Sequence, residues 1–141
     1  MSVHRSLLPA GWPRPRGYSN AVIASGTTIF TGGLVGWDQA EQFVAADIAG
    51  QLRQILVNLI AVLAEGGAGP EHLVRMTWYV VDIEAYRSGL PAIGEAYREL
   101  LGRNFPTMAV VQVMALVEPE ALIEIEATAV IPSPNTDTPD S

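Results

Sequence analysis

Hydrophobic and polar positions alternate most regularly between Phe105 and Val130, FPTMAVVQVMALVEPEALIEIEATAV. That pattern predicts two strands joined by a turn at Glu118-Pro119-Glu120. Successive side chains in a strand point to opposite faces. Ile123, Ile125, Ala127 and Ala129 therefore share one face, and Glu124, Glu126 and Thr128 share the other. In the first strand Met108, Val110, Gln112 and Met114 lie opposite Ala109, Val111, Val113 and Ala115. Paired as a hairpin, the two strands present one wholly apolar face. The other sets two carboxylates beside an amide and sulfur, and chemistry is expected there.

The rest of the chain divides by period. Residues 1–16 contain a Pro- and Gly-rich run and read as an extended lead-in. Asn20 to Ala24 and Thr27 to Thr31 read as a hairpin around Ser25-Gly26, closed by Gly32-Gly33, and residues 34–46 read as a loop. Asp47 is a fitting N-cap for a helix that ends before Gly66-Gly67. Leu52, Leu56, Leu59 and Leu63 recur along it at helical spacing, widened by Ile48, Ile55 and Val62, and Gln51, Arg53, Gln54 and Asn58 form its polar side.

Leu73 to Val81 is apolar or aromatic on both faces, the pattern of a strand buried on both sides. A second helix is expected from about Glu84 to Leu101. Pro91 either kinks it or makes it start near Leu90. Pro132 to Ser141 is polar with three prolines and is expected to be disordered.

The order is β-β-α-β-α-β-β in a single domain over residues 17–131, an α/β (α+β) chain with two helices. Two helices cover one face of a sheet. The strands at 73–81 and 108–115 then need a second cover, and other copies of the chain can supply it as a closed homo-oligomer in which sheets pack on sheets. Composition agrees: of 141 residues, 49% are hydrophobic and 16% charged, which favours apolar surface buried between subunits.

A net charge of −7, with basic residues scattered along the chain, argues against a nucleic-acid partner. The absence of cysteine excludes disulfides, thiolate nucleophiles and Cys-ligated metals. His4 and His72 have no ligand at useful spacing, so no metal is expected. Gly32-Gly33 lacks the P-loop lysine and the dinucleotide fingerprint. With no signal-peptide run and no uninterrupted apolar stretch near ~18 residues, no membrane association is expected, and the cytoplasm is the expected location.

The chain carries, in order, Gly17-Tyr18-Ser19-Asn20-Ala21-Val22, Ile29-Phe30-Thr31-Gly32-Gly33, and Gln51 to Leu63 with Asn58-Leu59. Val74-Arg75-Met76-Thr77 to Asp82, Phe105-Pro106, and Ile123-Glu124-Ile125-Glu126-Ala127 follow. No single piece is specific. Their order and spacing from Gly17 to Val130 resemble the Rid (YjgF/YER057c/UK114) family. The resemblance implies a chorismate-mutase-like two-layer sandwich and a homotrimer with a barrel-like core. It also implies three small-molecule sites, in clefts between protomers.

The activity it implies is hydrolysis of reactive enamines and imines to 2-oxo acids and ammonia. It puts the family's water-binding glutamate at Glu124, and an arginine that grips the substrate carboxylate directly after a Phe-Pro-x motif. Met108 occupies that arginine position and can supply no charge-assisted bond. Leu34, Pro91 and Val110 likewise stand where a polar residue, an asparagine and a cysteine are common in the family.

Two functions follow. In the first, the protein is an imine or enamine deaminase, a hydrolase acting on C–N bonds. Glu124 positions water, Tyr18 closes the site, and backbone around Gly33, Ala109 and Val110 binds the ligand. No cofactor is needed, because water can attack a C=N carbon directly. In the second, a non-catalytic trimer binds a small apolar or aromatic metabolite in the same clefts, which Leu34, Met108 and Val110 favour. RNA cleavage, a third activity attached to some members of the family, is opposed by the charge. Glu126 reads as a solvated strand residue, Met108 and Met114 as core packing, and Trp37 and Trp78 as cleft or interface aromatics. Arg14 or Arg16 is a candidate to replace the missing guanidinium.

Overall fold

The computed structural model describes residues 2–134, so the expectation for residues 135–141 lies outside the described residues. In chain order the elements are β1 (Arg5–Leu7), β2 (Ala21–Ile23), β3 (Gly26–Phe30), β4 (Leu34–Val35) and α1 (Ile48–Glu65). After a 3-10 turn at Pro70–His72 come β5 (Leu73–Val80), α2 (Ile83–Ser88), α3 (Leu90–Leu101), β6 (Thr107–Gln112) and β7 (Ile123–Pro132).

Local signals are obeyed at the helix ends. The Asp47 carboxylate accepts the Gly50 N–H at the start of α1, and Gly66 follows its last residue. The expected second helix is two helices. Asp82 caps α2, Gly89 interrupts the run, and Pro91 sits in the first turn of α3, where its missing N–H leaves no bond unmade.

The sheet is where pattern and structure part. The strand order is β3-β7-β5-β6, with β4 also paired to β7. β6 and β7 do not form the expected hairpin, because β5 lies between them, parallel to β6 and antiparallel to β7. A central strand must have both neighbours, and β5 is the most apolar candidate. The turn near Glu118 is present, with Ala121 N–H donating to the Glu118 carbonyl, but it lies within a connection that crosses over β5. The first hairpin is also replaced: β2 pairs with β1, and β3 pairs with β7. The lead-in thus contributes a strand, and the expected loop at 34–46 begins with β4.

One face of the sheet carries Met76, Trp78, Val80, Ile123, Ile125, Ala127 and Ala129, all buried beneath the helices. Ile48, Leu52, Ile55, Leu56, Leu59 and Leu63 of α1 are sunk into the same core, whereas Val62 is exposed. Each fully buried leucine contributes about 2 kcal/mol by removal from water. By length and composition α1 could cross a membrane, but its leucine stripe is spent on this sheet. The second sheet face carries Thr28, Phe30, Thr77, Tyr79, Ala109, Val111, Glu126 and Thr128, half-buried to exposed, with no helix over it among the described residues. β5 is therefore buried on one side only, with Arg75, Thr77 and Tyr79 on the other.

Gln51, assigned by period to the polar side of α1, is 1% exposed. Its amide donates to the carbonyls of Ala45 (3.1 Å) and Glu120 (3.0 Å), and its oxygen accepts the Leu122 N–H at 2.8 Å. The side chain thereby ties α1 to the crossover that delivers β7. Gln51→Leu keeps the volume but orphans one donor and two acceptors. It is expected to lower unfolding free energy by roughly 2–4 kcal/mol, read as a lower urea midpoint at unchanged slope.

Candidate functional site

β7 brings Glu124 and Glu126 to the uncovered sheet face by simple alternation, and their neighbours set them apart. Glu126 sits across from Thr77 and accepts the Tyr79 hydroxyl at 2.7 Å. Glu124 sits between β4 and β5, opposite Val35 and Tyr79. Among the described residues it has no side-chain hydrogen bond and no ion pair.

Gly33 closes over Glu124. A Cβ added at Gly33 would lie 2.6 Å from Glu124 Oε2, so only glycine leaves the carboxylate in its present place. Glu124 is half-buried, partnerless and flanked by bare backbone, so it is free to hold a water.

The hydrogen bond to Glu126 pushes the Tyr79 hydroxyl up from its ordinary value, helped by desolvation and by the charges of Glu126 and Glu124, while Arg75 pulls it down. The bond is made by the neutral phenol. It is fully present below the ordinary tyrosine value of about 10 and is lost as pH rises through the raised one. Removing the carboxylate in Glu126→Ala is expected to move this titration back toward the ordinary value. The check is phenolate absorbance of variant against parent, since burial also raises Tyr86 and Tyr97 in both.

The other expected site residues scatter. Ala109 lies on the face of Glu126, two strands away across Thr77, and Val111 is in row with Tyr79 and Glu124. Two strand spacings make about 10 Å. Met108 and Val110 point the other way, as does Leu34, and all three pack against the core cluster. The expected face pairing of Met108 with the glutamates is thus reversed. Parity within β6 was right, but β5 sets the register, aligning Met108 with Met76 and Val110 with Trp78. Met114 is fully exposed beyond the end of β6. Trp78 is core, and Trp37 packs on Phe43.

Tyr18 is exposed beside a pinned segment. Ser19 is buried, donates its hydroxyl to the Phe105 carbonyl at 2.5 Å, and bridges in parallel to Thr107. Ser19 N–H also donates to the Pro106 carbonyl at 3.1 Å. These bonds dock the segment after the lead-in onto the start of β6, at the edge of the sheet. Beyond Thr107 that edge is unpaired among the described residues.

One chain therefore holds two separate pieces. Gly33 and Glu124 lie by β4, and Tyr18 lies with the open edge of β6 on the far side of β5. Sequence reasoning missed Ser19 and Tyr79. A serine in Gly-Tyr-Ser-Asn and a tyrosine in an apolar strand carry no local sign of a distant partner. Among the described residues no group of three His, Asp or Glu side chains is placed to hold a metal ion.

Residues 13–131 match the family model described as Endoribonuclease L-PSP. A RutC family protein of Pyrococcus abyssi is 31% identical over 105 residues, covering 74% of this chain and 80% of its own. The 2-iminobutanoate/2-iminopropanoate deaminase of Homo sapiens is 32% identical over 100 residues, covering 70% of this chain and 69% of its own. Among solved structures, a Rid-family protein of unknown function from Yersinia pestis superposes with a TM-score of 0.81 at 36% identity, over 91% of this chain and 98% of that one.

Proposed function

This chain belongs to the Endoribonuclease L-PSP family, also known as Rid or YjgF, and from that premise we propose that it hydrolyses a reactive imine or enamine to a carbonyl compound and ammonia. The site lies in clefts between protomers of a homotrimer in the cytoplasm. The observation that carries this reading is the Glu124 carboxylate under Gly33, which has no partner among the described residues. The imine deaminase name of the human relative supports the reaction class.

The separation of the two pieces supports the shared cleft. Glu124 and Gly33 of one protomer meet the open β6 edge and Tyr18 of the next, and sheet packing covers the exposed Phe30 and Val111. Glu124 accepts a hydrogen from water and directs its oxygen at the C=N carbon. The C–O bond forms, the C=N electron pair moves to nitrogen, and nitrogen takes a proton. The resulting carbinolamine passes its hydroxyl proton to nitrogen as the C–N bond breaks, releasing ammonia and leaving the carbonyl. Backbone N–H and C=O groups along residues 108–110 orient the ligand, and Tyr18 excludes bulk water.

No guanidinium reaches this face from β6, because Met108 packs into the core. Neutral imines, or imino acids held elsewhere by their carboxylate, therefore suit the site better than small imino acids gripped at position 108. The test is ammonia release from freshly generated 2-aminoacrylate and a panel of neutral and carboxylated imines, with and without protein. Acceleration of any member supports hydrolysis. No acceleration across the panel leaves the second reading, a trimer that binds a small apolar or aromatic metabolite in the same clefts.

A further inference from the structure

Every basic residue in this chain is an arginine, eight against fifteen acids, so the presence of arginine rather than lysine carries no information and only placement does. Arg53 pairs with Glu99 and Arg87 with Glu84. Three others come from separate segments to one cleft: Arg14 from the lead-in, Arg98 from the last turn of α3, and Arg103 from the loop after it. The cleft has a volume of about 730 Å³, within the usual range for small-molecule sites. Among the described residues no Asp or Glu lines it, and none of the three arginines has a carboxylate within ion-pair distance.

From this convergence we propose that the cleft is a binding site for a compact metabolite bearing at least two oxyanion charges, as carboxylate or phosphate. Neither Glu124 nor Gly33 of the same chain lines it, although Tyr18 does. In a chain of net charge −7, three guanidinium groups facing one concavity repel one another, although carboxylates to neutralise them are abundant. A bound polyanion removes that repulsion and gains forked, charge-assisted hydrogen bonds.

The wall fits such a ligand. Ser2, Ser6 and Asn20 add neutral polar groups beside the arginines, and Leu7, Leu8 and Phe105 supply an apolar floor for a short carbon frame. The pinning of Ser19 to Phe105 and to Ser6 holds the lead-in against α3's end, so the cleft is formed before any ligand arrives. Arg98 is further set by Gly94, where an added Cβ would come within 3.2 Å of its Nη1.

The experiment is calorimetric titration of the full chain at low salt, in phosphate-free buffer, with succinate and separately with pyrophosphate. One anion is expected to bind per chain, and Arg103→Gln and Arg14→Gln are each expected to weaken it at least about ten-fold. The ion-paired Arg87→Gln serves as a control and should bind as the parent does. All three side chains are exposed, so the variants should fold, which circular dichroism verifies. Binding of succinate alone identifies a dicarboxylate site, and of pyrophosphate alone a phosphorylated ligand. The proposal is overturned if neither anion binds, if the Arg14 and Arg103 variants bind like the parent, or if Arg87→Gln weakens binding equally.

Discussion

Glu124→Gln is expected to cut ammonia release from the best imine substrate by a hundred-fold or more, while leaving the thermal midpoint of unfolding close to that of the parent. A positioned general base typically contributes about 10²–10⁴-fold, and glutamine retains the shape but not the basicity. Stability should hold because, among the described residues, Glu124 makes no hydrogen bond or ion pair that the substitution would break.

Two companion variants sharpen the reading. In Gly33→Ala the new methyl occupies the space of the Glu124 carboxylate. The carboxylate can swing away at little energetic cost, so activity should fall on the order of ten- to a hundred-fold through misplacement without unfolding. In Glu126→Gln the amide oxygen can still accept the Tyr79 hydroxyl, and activity should stay within a few-fold of the parent. Equal losses at positions 124 and 126 would defeat the assignment of the base. A retained rate in Glu124→Gln, measured against an imine the parent hydrolyses, would remove Glu124 from the chemistry altogether.

The largest effect on stability is expected at Trp78. This side chain is 1% exposed and stands at the centre of the covered face. Tyr86 meets it edge-on at 6.3 Å, and Tyr97 leans on it at the same distance. Tyr97 in turn stacks on Phe105 at 6.0 Å and donates its hydroxyl to the Asn104 carbonyl. The aromatic column therefore joins β5, α2, α3 and the entry to β6.

Trp78→Ala opens a cavity in that column and is expected to lower unfolding free energy by about 3–5 kcal/mol. For a domain of this size, that shifts the melting temperature on the order of 10–20 °C. Trp78→Phe should lose much less, because among the described residues the buried indole Nε1 has no hydrogen-bond partner to forfeit. Calorimetric melts of both variants decide it. If the phenylalanine variant is as unstable as the alanine one, an unseen partner of the indole N–H is carrying the stability.

Much of this was legible in the sequence because it depends on neighbours within a few residues. The Asp47 cap, the leucine stripe of α1 and the alternation of Ile123 to Ala129 all follow from backbone period and local hydrogen bonding, and all are present in the fold. The same alternation picked out Glu124 as facing away from the apolar layer. The scattered pieces from Gly17 to Val130 pointed to the family that the comparisons show. The arginines are scattered along the sequence, and spacing along the chain reports nothing about residues 14, 98 and 103 meeting at one cleft.

The sequence by itself determined the long elements α1, β5 and β7, which face of β7 is buried, and which family the chain joins, but not β1, β4 or the break between α2 and α3. Only the tertiary structure decided which strands are neighbours. Alternation gives each strand two faces but does not say which edge meets which, and that choice depends on packing summed over the whole sheet. Placing β5 between β6 and β7 turned Met108 into the core, left Glu124 beside Gly33, and parted that carboxylate from the β6 edge.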